Sequence, residues 1–222
     1  MNKLTTTLQG PTGIALLGAV PTLPGALVLG GILQGSNARG MMHDLVQPEY
    51  FVSPEPIAIH IASGILFCVL APLQFSTKLR MRYRKLHRVA GRIAMIAGLL
   101  FGLTAVLLMG LPPASADAWL HYAGMTFAGL GVCFSLCMAF LTIRRGDVVR
   151  HRQWMRRVIA FGLFGASRAL FEATVMPLMG AITIVGEGVS VWLAIALNLY
   201  VAERLSKSDG TKPKPRLNAG TP

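Results

Sequence analysis

The sequence predicts an all-α, polytopic integral membrane protein of about six transmembrane helices. Three observations predict it. The chain is 53% hydrophobic and 14% charged, with a mean hydropathy of +0.56, whereas charged residues make up near a quarter of a soluble domain. Its apolar residues fall into runs close to the ~20 residues a helix needs to cross a bilayer. Its basic residues gather in short segments between alternate runs, where Lys and Arg orient membrane helices. The net charge of +12 is read the same way, because no nucleic-acid recognition motif accompanies it.

The runs follow in order. Ile14 to Leu33 is apolar but interrupted by Pro21 and Pro24. A cleaved signal peptide is the competing reading, yet the run is long and no A-x-A site follows it, so a first, kinked helix is expected. Gln34 to Glu55 is a polar loop carrying Asp44, Glu49 and Glu55 against Arg39. Pro56 opens a second run that ends near Thr77; proline is tolerated at a helix start, where its missing N–H would be unpaired anyway. The third run is Ile93 to Leu111, stopped by Pro112 and Pro113, and the fourth goes from Trp119 to Ile143. Val158 to Met179 is the fifth, and the sixth runs from about Ala181 to Val201, taking in Glu187. Residues 1–206 are expected to form one membrane domain, and 207–222 a disordered, basic cytoplasmic tail.

Threading six helices places 18 of the 21 basic residues on one side. These are Lys78 to Arg92 before the third run, Arg144 to Arg157 before the fifth, and Arg204 onward in the tail. Asp44, Glu49, Glu55, Asp117 and Glu187 fall on the other side. The positive-inside rule then predicts an inner, cell-membrane location with both termini cytoplasmic.

A short motif occurs twice. His87 to Arg92 reads HRVAGR and His151 to Arg156 reads HRQWMR, each just before an odd-numbered run. His60 and His121 precede them by 27 and 30 residues, so helices two and three are read as a hairpin repeated in helices four and five, with helices one and six outside this four-helix core. His87, Arg88, Arg92, His151, Arg152 and Arg156 stand where anionic headgroups lie, as a lipid anchor or an anion contact. Trp154 is at the depth of an interfacial anchor.

These residues also carry a resemblance. Gln74-Phe75, LHRVAGR at Leu86 to Arg92, IRRGDVVRHRQWMRR at Ile143 to Arg157, and Arg168 together resemble an uncharacterised bacterial membrane-protein family, domain of unknown function 2306. The resemblance covers residues 57–172. It implies a helical membrane fold without an established activity, and a pattern comprising His60, Gln74, His87, Arg88, Gly91, Arg92, His151, Arg152, Trp154, Met155 and Arg168.

Two chemical readings remain open. Arg168 is eleven residues past Arg157, about 16 Å along a helix, which puts it near the bilayer centre. Charges there face the bundle interior and mark a ligand site or pathway. Glu172, four residues on, shares its helix face. The pair is expected to form a site for a small polar or anionic ligand, or to serve only as a packing ion pair; Gln74, Asn198 and Thr126 are polar residues available to complete it. The alternative is a b-type haem carrier using His60, His121, His87 and His151 as axial ligands. Cys68, Cys133 and Cys137 lie in apolar runs and read as packing thiols. No zinc spacing, nucleophile elbow, phosphate loop or dinucleotide fingerprint is present, so no catalytic residue is assigned.

Overall fold

The computed structural model describes residues 11–35, 51, 53–109, 116–179 and 183–210. They form eight helices: α1 (Pro11–Gln34), α2 (Pro54–Gln74), α3 (Thr77–Arg82), α4 (Arg84–Leu108), α5 (Trp119–Arg144), α6 (Val148–Gly162), α7 (Phe164–Met179) and α8 (Ile184–Gly210), with a 3-10 turn at Ala116–Ala118 before α5. The acidic loop with Arg39, Asp44 and Glu49, the Pro112–Pro113 stop, Ala181 and residues 211–222 lie outside the described residues.

α2, α4, α5 with its leading turn, and α8 are each long and apolar enough to cross a membrane. α6 and α7 qualify only as a pair, bent by 42°, while α1 offers a shorter apolar stretch, Gly18–Gln34. The six expected spans are thus four continuous helices, one broken one, and a first helix with less apolar length. At the other end of the chain, residues 207–210 extend α8 where a disordered tail was expected to begin.

The helices are apolar outward and small inward. α4 buries Ala90, Ala94, Ala97, Gly98 and Gly102, and exposes Ile93, Ile96, Leu100, Leu103 and Leu107. Water would reverse that arrangement; lipid does not, and helices in lipid pack through small residues that let backbones approach. At the α4–α5 crossing a Cβ on Gly129 would stand 2.8 Å from the Gly102 carbonyl oxygen, so no larger residue fits. Gly124, Gly131 and Gly162 likewise meet Val191, Phe161 and Phe67.

α2 packs on α4, and α5 on α6, as the two expected hairpins. The second is closed by a tight turn. Gly146, at φ +75°, takes the left-handed conformation that glycine adopts without strain. The Gly146 and Asp147 N–H groups bond back to Ile143 and Thr142, both at 3.0 Å, the pattern of a Schellman end. Asp147 then caps α6 by accepting from the Arg150 N–H at 2.9 Å. One expectation is corrected: the sixth run does not lie outside the core. α8 contributes Val191, Ala194 and Ile195 to the same buried cluster as Phe67, Val132, Leu136 and Val158.

The other correction is the fifth run. A single helix from Val158 to Met179 was expected; α6 instead starts at Val148, ends at Gly162, and the chain turns at Leu163. Two glycines, Gly162 and Gly165, flank the turn, and glycine weakens a helix by about 1 kcal/mol relative to alanine. A break in lipid exposes carbonyls that need donors. The Leu163 N–H satisfies Ile159 at 2.9 Å, and Asn198 of α8 supplies the next donor. Its Nδ2 donates to the Ala160 carbonyl at 3.2 Å, and its Oδ1 accepts from the Ser167 hydroxyl at 2.7 Å. One amide therefore holds both sides of the break. Asn198→Leu leaves both groups unpaired and is expected to destabilise the protein by about 1–3 kcal/mol, read as a lowered unfolding midpoint in detergent; an unchanged midpoint would separate Asn198 from the break.

Candidate functional site

The break turns α7 toward α8 and assembles a charge cluster. Arg168 Nε donates to Glu172 Oε1 at 2.6 Å, so the i,i+4 pair read from the sequence is formed. Arg168 Nη2 is also 3.8 Å from Glu187 Oε2. The Ser190 hydroxyl lies 2.7 Å from Glu172 Oε1 and 2.8 Å from the Glu187 carbonyl, and its one proton serves one of them at a time. His121 Nδ1 stands 3.9 Å from Glu187 Oε2; it is buried and has no hydrogen-bond partner among the described residues. Trp192 Nε1 donates to the Leu120 carbonyl at 3.0 Å, which fixes the first turns of α5 and α8 side by side.

Arg168 stands beside the opening turns of two other helices. Counting residues along a straight helix put it near the bilayer centre. In the structure its guanidinium joins His121 and Glu187, which are in the opening turns of α5 and α8, at the end opposite the basic segments. The bend between α6 and α7 and the length of the side chain bring the guanidinium to these partners.

The cluster also has an unexpected sign. Two acidic side chains face one guanidinium and one imidazole, so with the imidazole uncharged the cluster carries one negative charge in excess. An anion would raise that imbalance in a medium of low dielectric; a proton or a cation cancels it.

Not all expected members are here. Asn198 holds the helix break through Ser167 rather than touching Arg168. Gln74 is at the basic end. With its amide oriented for hydrogen bonding, Nε2 donates to His87 Nδ1 at 3.3 Å and to the His87 carbonyl at 3.1 Å, and Oε1 accepts from the Gly91 N–H at 3.2 Å. A Cβ on Gly91 would come within 2.9 Å of that amide. Thr126 is half-buried on α5. Ser190, Ser167 and Glu203 were missed, since a lone Ser or Glu in an apolar run has no spacing to mark it.

At the basic end the two motif histidines take equivalent places. His87 meets Gln74, thirteen residues before it, and His151 donates from Nδ1 to the Ala139 carbonyl, twelve before it, at 2.8 Å. Each ties its helix to the end of the preceding one. The likeness stops there: α4 is continuous where α6 breaks. Arg88 and Arg92 are exposed, Arg156 Nη1 donates to the Leu205 carbonyl at 3.1 Å, and Arg152 Nε is buried without a partner among the described residues. Arg157 stacks over Trp154 at 4.3 Å and pairs with Glu203 at 2.6 Å.

His60 and His121 do not form a facing pair. His60 Nδ1 is 3.1 Å from both the Phe101 carbonyl and Thr104 Oγ1, and its ring stacks on Phe101 at 4.5 Å. It lines a cavity of about 320 Å³ that His121 does not reach. Cys133 and Cys137 are free thiols, as is buried Cys68, and no group of three or more metal-ligating side chains occurs among the described residues.

A family model described as a predicted membrane protein (DUF2306) matches residues 57–206. The match passes Glu172, where the resemblance ended, and takes in Glu187, Ser190, Asn198 and Glu203. No curated protein and no solved structure matches the chain.

The cluster yields a test of its balance. Arg168→Gln leaves two carboxylates with no guanidinium and is expected to cost on the order of 3 kcal/mol. Arg168→Gln combined with Glu172→Gln should recover most of that loss in the detergent unfolding midpoint. If the double variant is no better than the single one, the pair is not the unit described.

Proposed function

The chain belongs to the DUF2306 family of predicted membrane proteins, and on that premise we propose that it binds a small cationic or proton-bearing solute at the Arg168, Glu172, Glu187, Ser190 and His121 cluster. The observation that carries this reading is the count of charges: two carboxylates converge on one guanidinium, Glu172 at 2.6 Å and Glu187 at 3.8 Å. The sequence alone left polar and anionic ligands open. The geometry favours a polar solute that is cationic rather than anionic, a choice the sequence did not offer, because Arg168 is already paired and the excess charge is negative. Glu187, with its side chain 45% exposed, is the member a solute meets first.

We place the protein in the cell membrane with both termini cytoplasmic and the H-R-x-x-x-R elements against anionic headgroups. Exposed Arg88 and Arg92 and the Trp154–Arg157 stack suit that role. The haem alternative lacks support from the same geometry: among the described residues the cavity lined by His60 has no second imidazole, and His87 and His151 stand among arginines at the basic end.

The test is a thermal-shift comparison of the purified chain with small ammonium compounds and with small carboxylates. A ligand at a hundred times its Kd stabilises by about 2.7 kcal/mol. Ammonium compounds are expected to raise the midpoint in the wild type and not in Glu187→Gln or Glu172→Gln, and carboxylates to leave it unchanged. Stabilisation by carboxylates that Arg168→Gln removes would reverse the assignment. A reporter fused after Pro222 should read as cytoplasmic.

A further inference from the structure

The cavity beside the helix break is separate from the charge cluster and has a different chemistry. It measures about 320 Å³ and is walled by α1, α2, α4, α5 and the break, with Ile57, Ile61, Phe101, Met125, Val132 and Phe164 among its lining. Its side-chain polar groups are few. The Thr22 hydroxyl donates to the Gly18 carbonyl at 2.6 Å, within its own helix, and Cys68 is a buried free thiol.

His60 is different. The Phe101 carbonyl can only accept, and the Thr104 hydroxyl proton already goes to the Leu100 carbonyl at 2.6 Å. The proton between them and His60 therefore sits on Nδ1. In the neutral ring this leaves Nε2 as a bare acceptor, and no protein group among the described residues meets it.

We propose that this cavity binds a membrane-dissolved phenol or alcohol, an apolar body carrying one hydroxyl that donates to His60 Nε2. Volume sets the body. An apolar cavity of about 150 Å³ takes a single benzene ring, so this one has room for about two fused rings. Ligand pockets in general begin near 300 Å³ and combine apolar walls with a few placed polar groups. The walls give affinity without direction, and the single acceptor gives orientation. A ligand without a donor leaves Nε2 unpaired, and an anion finds no cationic group among the lining residues.

Gly165 provides an independent handle. It lines the cavity, and a Cβ built on it meets nothing within 4 Å. A side chain there grows into empty space, and replacing a helical glycine removes a weak point rather than creating one.

The experiment uses the full chain in lipid nanodiscs and two probes of nearly one shape, 1-naphthol and 1-methoxynaphthalene, with binding read as the saturable component above empty discs. The wild type is expected to bind 1-naphthol at one per chain, and the ether about tenfold more weakly, the equivalent of one hydrogen bond. His60→Phe should bring the two probes to equal affinity. Gly165→Leu should remove saturable binding of both while the protein stays folded and monodisperse. Equal binding of the two probes by the wild type would overturn the role of His60. Undiminished binding to Gly165→Leu, or no saturable binding by the wild type, would overturn the site.

Discussion

The hold of α8 on a broken helix is the constraint on which the rest of this structure depends. A helix that stops in lipid at Leu163 leaves backbone groups without water, and those groups require partners from a neighbour. α8 supplies one such partner through Asn198 and grips the broken helix at three heights. Glu203 takes Arg157 at the basic end, the Asn198 amide bridges the break, and Ser190 and Glu187 meet Glu172 and Arg168 at the far end. Glu187 and Glu203 are sixteen residues apart, about 24 Å of helix. Between them α8 is free of charge, which lets it remain a membrane span while gripping both halves of its partner.

From that grip follow the two sites. The 42° bend carries α7 away from α6, and the space beside it is the cavity lined by Gly162, Phe164 and Gly165. The same bend swings Arg168 toward the opening turns of α5 and α8. A straight fifth helix would fill the first site and separate the members of the second. In the proposed reading each site would be selective in its own way: low dielectric would magnify the charge imbalance of the cluster, and the apolar walls of the cavity would make one acceptor nitrogen decisive.

Much of the fold was legible because lipid imposes simple rules. Run length, proline stops and the placement of arginines located all six apolar elements, and the Arg168–Glu172 pair followed from i,i+4 spacing. Gly124, Gly129, Gly131 and Gly162 are contact residues while Gly165 lines the cavity, and a contact glycine and a cavity-lining glycine are alike in sequence. The break escaped because Gly162 and Gly165 sit in a run whose hydropathy is continuous, and only packing against Phe67 and Asn198 reveals the turn. Glu203 was hidden among the residues leading to the basic tail. Gln74 was offered as a residue to complete the Arg168 site, whereas its amide meets His87 and Gly91.

The most direct measurement of the account is a charge exchange across the α6–α8 pair at the basic end. Arg157→Glu and Glu203→Arg each place like charges where the structure has a 2.6 Å ion pair, and each is expected to lower the unfolding midpoint in detergent. Both together restore opposite charges and should return the midpoint most of the way to that of the wild type. Additive losses in the double variant would mean that α8 does not hold the broken helix through this contact, and would contradict the account.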